Sequence, residues 1–202
     1  MSLYIDPYDK DLPTKVFALK PYKGYCFIID IKESTELKDI EISKWIIFIY
    51  NTFANIMGNL FMKFKPIKSL GDALMFYIPE DDMQGETAMT LYMALWNIVN
   101  TKEEHVREVN IGAAYCERAY DITFVPDSID IYGKDIDLTG RLMSIASSGE
   151  IVINSLFADR IFAEFKACDD KVKFAEVTQI RGPWPKMMKG FKDYVDIYKA
   201  TS

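Results

Sequence analysis

The chain has 202 residues, half of them apolar and 27% charged, which is length enough for one globular domain with a sizeable core and too little charge for a disordered one. Its 30 acidic and 24 basic residues leave a formal net charge of -6, so it lacks the basic face that a sequence-independent nucleic-acid binder needs. No uninterrupted apolar run is longer than that of Trp45 to Tyr50, far short of the roughly 20 residues of a membrane-spanning helix. The N-terminus also lacks the basic-then-apolar order of a signal peptide, and a soluble, cytoplasmic protein with no membrane partner is expected.

Three widely spaced cysteines, Cys26, Cys116 and Cys168, point to free thiols and not to a disulfide framework or a zinc site. His105 is the only histidine, which leaves no room for a histidine triad or a multi-histidine metal centre. Any metal must be held by oxygen, which selects Mg2+, Mn2+ or Ca2+.

In chain order, residues 1–21 form an N-terminal extension to a single domain spanning 1–202. "GYCFIIDI" (Gly24 to Ile31) reads as a buried strand that carries Asp30 at its end. From Glu41 to Lys63, Ile46, Ile47, Tyr50, Phe53, Ala54, Met57, Leu60 and Phe61 recur at helical spacing and predict a helix with a wide buried face. "KPIKSLGDALMFYIP" predicts two short strands around a Gly-Asp turn. A second long helix is expected to open between Pro79 and Met83 and run to Asn100. "VNIGAAYCE" is a strand, followed by a polar arm to Asp130. "GKDIDLTGRLMSIAS" is a helix stopping at Gly149 on a left-handed cap, and "EIVIN" a short strand. The tail is expected to hold strands near Val172–Ile180 and Tyr194–Tyr198, around the turn-rich "RGPWPKMMKGF". Strand, helix, hairpin, helix, strand is the split order of an α+β, ferredoxin-like βαββαβ core, here with extra C-terminal strands. Several unrelated functions use that core.

In such a core the strand ending at Asp30 lies beside the hairpin strand that follows Asp72, which brings two carboxylates to one edge of the sheet. Like charges at that distance repel and push one pKa upward, a conflict that a divalent cation removes. The competing reading is a turn aspartate and a strand-end cap.

"FIIDIKEST", "KSLGDALMF", "VNIGAAYCE", "DIYGKDIDLTGRLMSIASSGEIVIN" and "MKGFKDYVDIY" together, in register from Gly24 to Tyr198, resemble the class III nucleotidyl cyclase catalytic domain. The resemblance implies a homodimer with shared active sites, two Mn2+ or Mg2+ ions, and conversion of a nucleoside triphosphate to a 3′,5′-cyclic nucleotide and pyrophosphate. By the same resemblance Asp30, Asp72 and the backbone carbonyl of Ile31 match the metal ligands. Lys68 and Asp130 match the pair that reads the base edge, Arg141 the arginine that meets the developing phosphoryl charge, and Lys189 the lysine on the terminal phosphates. Asp137 stands where the family usually has an asparagine that orients the ribose. Glu33 and Ser34 replace the common aromatic ahead of a threonine, and Tyr50 replaces a common leucine, implying a narrower substrate pocket.

A lysine donor beside a carboxylate acceptor suits adenine and cytosine alike. In overall character, a short stand-alone cyclase with a modified first motif and a bulky residue near the pocket, the chain resembles the pyrimidine cyclases of anti-phage Pycsar systems. That resemblance implies CTP or UTP as substrate and a separate effector protein that reads the product. The alternatives are an adenylate cyclase and, from another class, a non-catalytic nucleotide-binding regulatory dimer, motivated by Asp137. An RNA-binding domain is disfavoured by the acidic charge and the absence of its aromatic strand motif. No diguanylate-cyclase turn and no P-loop is present either.

Overall fold

The structure, a computed structural model, describes residues 3–60 and 62–201. The elements are β1 (Leu3–Tyr4), α1 (Leu12–Phe17), β2 (Tyr22–Ile31), α2 (Ser34–Ile40), α3 (Ile42–Asn59), β3 (Lys68–Leu70), β4 (Ala73–Pro79), α4 (Ala88–Asn100), β5 (Val109–Thr123), β6 (Ile131–Tyr132), α5 (Lys134–Ile145), β7 (Glu150–Asn154), α6 (Ser155–Ala167), β8 (Arg181–Met187) and β9 (Tyr194–Thr201). The described strands line up as β3-β4-β2-β5-β7-β9-β8, with β1 and β6 also pairing with β5. The first four positions are the ferredoxin-like order expected from the sequence, and β7, β9 and β8 extend the sheet beyond it.

Side chains alternate across β2, and the two faces build two cores. Tyr25, Phe27, Ile29 and Ile31 face α3, α4 and α6, where Phe157, Leu91, Leu95 and Ile56 are fully buried with them. Cys26 and Ile28 face the other way, with Ala114, Cys116 and Val152, and are covered by Leu138 and Leu142 of α5. Helix α5 lies directly on β5, because a Cβ at Gly112 would collide with the backbone of Met143 and Thr139. Cys26 and Cys116 are buried free thiols and Cys168 is a partly exposed one.

Several expected elements differ in detail. The second long helix does not open at Pro79: Glu80–Asp82 is a single 3-10 turn, and left-handed residues Gln84 and Gly85 interrupt the chain before α4 starts at Ala88. There Thr87 and Thr90 form a reciprocal capping box. Strand β5 runs on to Thr123, so much of the expected polar arm is strand, and β1 pairs with its far end at Ile122 and Thr123. Helix α5 ends at Ile145 on an extended Ala146, and the left-handed Gly149 (φ 70°) belongs to the turn into β7. The expected strand near Val172–Ile180 is a 3-10 segment, Val172–Gln179. Phe174, Val177 and Ile180 recur every three residues there, the 3-10 period, while Val172 of the apparent alternation is 86% exposed. "RGPWPKM" forms β8 despite two prolines, because it sits at the sheet edge, where a missing N–H is tolerated. Helix α6, capped by the Asn154 side chain accepting from Phe157 N, adds an element that the expected order does not contain.

Helix α3 also turns differently. Its inward side is Thr52 and Ile56, with Phe53 and Met57 packed against the core, whereas Ile46, Ile47, Tyr50 and Ala54 face solvent in the single chain. Phe61, expected on the buried face, lies outside the described residues.

Candidate functional site

Asp30 is the last but one residue of β2, with Ala73 of β4 on one side and Asn110 of β5 on the other. The hairpin of β3 and β4 turns in two residues, since Leu70 pairs directly with Ala73. Gly71 supplies the left-handed conformation (φ 72°) that such a tight turn requires, leaving Asp72 beside the end of β2. Burial, and after it the charge of Asp72, raises the pKa of Asp30, while Lys32 pulls the other way. The buried hydroxyl of Ser34, at the start of α2, donates to Asp72. Ile31 follows Asp30 with its side chain in the core. Among the described residues no group of three His, Cys, Asp or Glu side chains could hold a metal. A cation here would therefore have two carboxylates and otherwise neutral oxygens, a donor set suited to Mg2+ or Mn2+. Two carboxylates already in conflict fit a cation chemically.

A second cluster surrounds the N-terminal half of α5. Lys68 Nζ donates to Asp130 Oδ1 at 2.6 Å, and the same oxygen accepts from the N–H of Ile131 at 2.8 Å. A cleft of about 290 Å3 is lined by Lys68, Leu70 and Met75 from the hairpin, Ile28 from β2, Tyr132 from β6, and Ile136, Asp137, Gly140 and Arg141 from α5. A neighbouring cleft of about 520 Å3 shares Tyr132, Asp137 and Arg141 and adds Lys134, Lys189, Gly190 and Phe191. Asp137 and Arg141 are one helical turn apart and both exposed, so they present a carboxylate and a guanidinium side by side. Lys134 lies over the Phe191 ring, 5.1 Å from its centroid, which ties the start of α5 to the loop that carries Lys189.

The fold thus gathers Lys68, Asp130, Asp137, Arg141 and Lys189 around two adjoining clefts, and places Asp30, Ile31 and Asp72 together at the strand ends. Neither cleft is lined by Asp30 or Asp72. Tyr50 is brought to neither group: it is 71% exposed on the outer side of α3. Sequence reasoning passed over Tyr132, which lines both clefts two residues after Asp130, and Asn110, the one polar residue in the otherwise apolar start of β5.

No family model matches the sequence, and no curated protein matches it. Solved structures do match. The adenylyl cyclase CyaB from P. aeruginosa superposes with a TM-score of 0.70 at 19% identity, over 91% of this chain and 95% of that one. The guanylyl cyclase Cya2 gives 0.69 at 13% identity, over 90% and 93%. The guanylate cyclase domain of RhGC from Catenaria anguillulae, in complex with GTP, gives 0.65 at 14% identity, over 90% and 97%. The chain has the fold of these adenylyl and guanylyl cyclase domains over nearly its whole length.

Proposed function

We propose that the protein is a nucleotidyl cyclase that converts a pyrimidine nucleoside triphosphate, CTP or UTP, to a 3′,5′-cyclic nucleotide and pyrophosphate. The observation that carries the reading is the placement of Asp30, near the end of β2, beside Asp72, in the turn that leads into β4, in a fold shared with adenylyl and guanylyl cyclases. Asp30, Asp72 and the Ile31 carbonyl would hold Mn2+ or Mg2+. Bound there, divalent cations lower the pKa of the ribose 3′-hydroxyl and neutralise the triphosphate.

The remaining steps belong to the chain's own side chains. Lys68 donates to, and Asp130 accepts from, the base edge. Asp137 accepts from the ribose, and Arg141 offers fixed positive charge where negative charge grows on the α-phosphoryl oxygens as the 3′-oxygen attacks and pyrophosphate leaves. Lys189 holds the terminal phosphates. Two copies of the chain assemble each complete site, with metal ligands from one protomer and base and phosphate contacts from its partner, a reading supported by the family resemblance and consistent with Asp30 and Asp72 lining neither cleft. The product is a messenger read by a separate effector in antiviral defence, a role supported by the resemblance to pyrimidine cyclases.

The test is incubation of the purified protein with ATP, GTP, CTP and UTP in Mn2+, with products separated and identified by mass. Cyclic CMP or cyclic UMP as the main product is expected. Cyclic AMP would replace the pyrimidine reading with an adenylate cyclase, the alternative favoured by the likeness to CyaB. Binding of nucleotide and Mn2+ without any cyclic product would leave a regulatory dimer.

A further inference from the structure

We infer that Asn110 supplies a further oxygen ligand to the cation held by Asp30 and Asp72, an assignment that rests on the cation site of the proposed function. Asn110 and Asp30 are direct partners across the antiparallel ladder of β2 and β5. Side chains so paired stand on the same face, with Cβ atoms about 5 Å apart. That face is the one covered by α5, shown by Cys26 and Ile28 on β2, Ala73 on β4, and Gly112, Ala114 and Cys116 on β5.

The amide orientation is fixed. Nδ2 of Asn110 donates to the carbonyl of Met143 at 2.9 Å, on the last turn of α5. Its Oδ1 must then point away from that carbonyl, and among the described residues it has no hydrogen-bond partner although Asn110 is only 1% exposed. A buried amide oxygen without a donor carries its full desolvation penalty, so its retention calls for something to satisfy it. Nearby stand two carboxylates: Asp30, its direct partner across the ladder, and Asp72, in the turn that leads into Ala73 beside Asp30. One cation placed among them would meet the amide oxygen and both carboxylates. An amide carbonyl is an ordinary neutral ligand for a hard divalent ion, and it completes a set of two carboxylates and two neutral oxygens with the Ile31 carbonyl.

The experiment is Mn2+ titration of the full chain, without nucleotide, read by the loss of the free-ion EPR signal, together with thermal unfolding with and without Mn2+. Four proteins are compared: the unaltered chain, Asp30→Asn, Asn110→Ala and Asn110→Asp. Asn110→Ala should weaken Mn2+ binding on the order of tenfold. Asn110→Asp should unfold more easily without metal, having lost its donor to Met143 and gained a third carboxylate. It should also bind Mn2+ more tightly than the unaltered chain and be stabilised by Mn2+ through a larger increment.

If both Asn110 variants bind Mn2+ as the unaltered chain does, the asparagine is a structural tie between β5 and α5 and the inference is overturned. Should Asn110→Ala fail to fold, Asn110→Asp decides alone; failure of Mn2+ to restore its stability overturns the assignment. An unaltered chain that takes up no Mn2+, or whose uptake is indifferent to Asp30→Asn, overturns the cation site itself. That outcome differs from one in which only Asn110 is silent.

Discussion

Asp130→Asn tests the base-reading role proposed for Lys68 and Asp130 without unfolding the protein. The ion pair between Lys68 and Asp130 is 2.6 Å long, with side chains 35% and 18% exposed. A pair this accessible contributes at most about 1 kcal/mol to stability, so Tm should fall by no more than about 2–4 °C for a chain of this size. The introduced amide keeps one oxygen for the Ile131 N–H, which preserves the local turn. In catalysis the loss is larger. A charge-assisted hydrogen bond to the base amino group is worth about 1.5–3 kcal/mol, which converts to roughly a 10- to 150-fold fall in kcat/KM for a substrate with an amino group at that edge. UTP, with a carbonyl there, should gain relative to CTP because the new amide can donate. The assay is kcat/KM for all four nucleoside triphosphates in Mn2+, alongside a melting curve. A variant that melts within this window and ranks the four substrates as the unaltered enzyme does would remove Asp130 from base recognition.

Arg141→Ala should lower kcat by about 10²- to 10³-fold while leaving Mn2+ binding unchanged, as loss of a single electrostatic stabiliser does elsewhere; equal loss of metal binding would place Arg141 in a structural role. Mixing inactive Asp30→Ala with inactive Arg141→Ala should restore partial activity, because one of the two sites in a mixed dimer keeps both residues; no recovery in mixed dimers verified by differential tagging would put both residues of a site in one protomer. Asp30→Asn should raise the Tm of the metal-free protein at pH 7. The folded-state pKa of Asp30 lies above its ordinary value. Its contribution is therefore fully favourable below the unfolded pKa and is lost as pH rises through the folded one, so the gain from Asp30→Asn should shrink as pH falls toward 4, and equal melting curves at pH 7 would contradict the strain assigned to this carboxylate.

Residues that act through local chemistry were legible in the sequence, and those placed by long-range packing were not. A charged Asp30 ending an apolar strand and a Gly-Asp pair between two strand patterns are local signals, and both land where strand pairing puts them. The inward side of α3 was not readable. "WIIFIY" is apolar all round, so periodicity cannot say which residues meet the core, and Ile46, Ile47 and Tyr50 face out. Strand β8 is hidden by its prolines, whose meaning depends on its lying at the sheet edge, a fact of topology. The cleft that carries Lys189 exists only because its loop folds back on the start of α5. Asn110 did leave a trace, as a polar side chain in a strand with no solvent-facing side, and only the strand register says what it stands beside.

One position governs both halves of the site. Helix α5 presents Asp137 and Arg141 to the clefts, and through the Met143 carbonyl it anchors Asn110 beside Asp30. Its height above the sheet is set at Gly112, where any Cβ would meet the backbone of Thr139 and Met143. Backbone cannot rotate away as a side chain can, so Gly112→Ala must lift the helix, at about 1–3 kcal/mol for overpacking of this kind. Lifting α5 stretches the Asn110 bond and shifts Arg141 together, so Mn2+ affinity and kcat should fall in the same variant even at temperatures where it remains folded. Gly58→Ala is the matching control. Gly58 lies in the last turn of α3 with no described atom within 4 Å of an added Cβ, and an alanine there should stabilise by at most about 0.5–1 kcal/mol, the gain of a helix interior, with activity unchanged. If Gly112→Ala lowers stability but leaves both Mn2+ affinity and kcat intact, then α5 does not couple the two clusters, and the carboxylate pair and the arginine cleft owe their positions to separate parts of the fold.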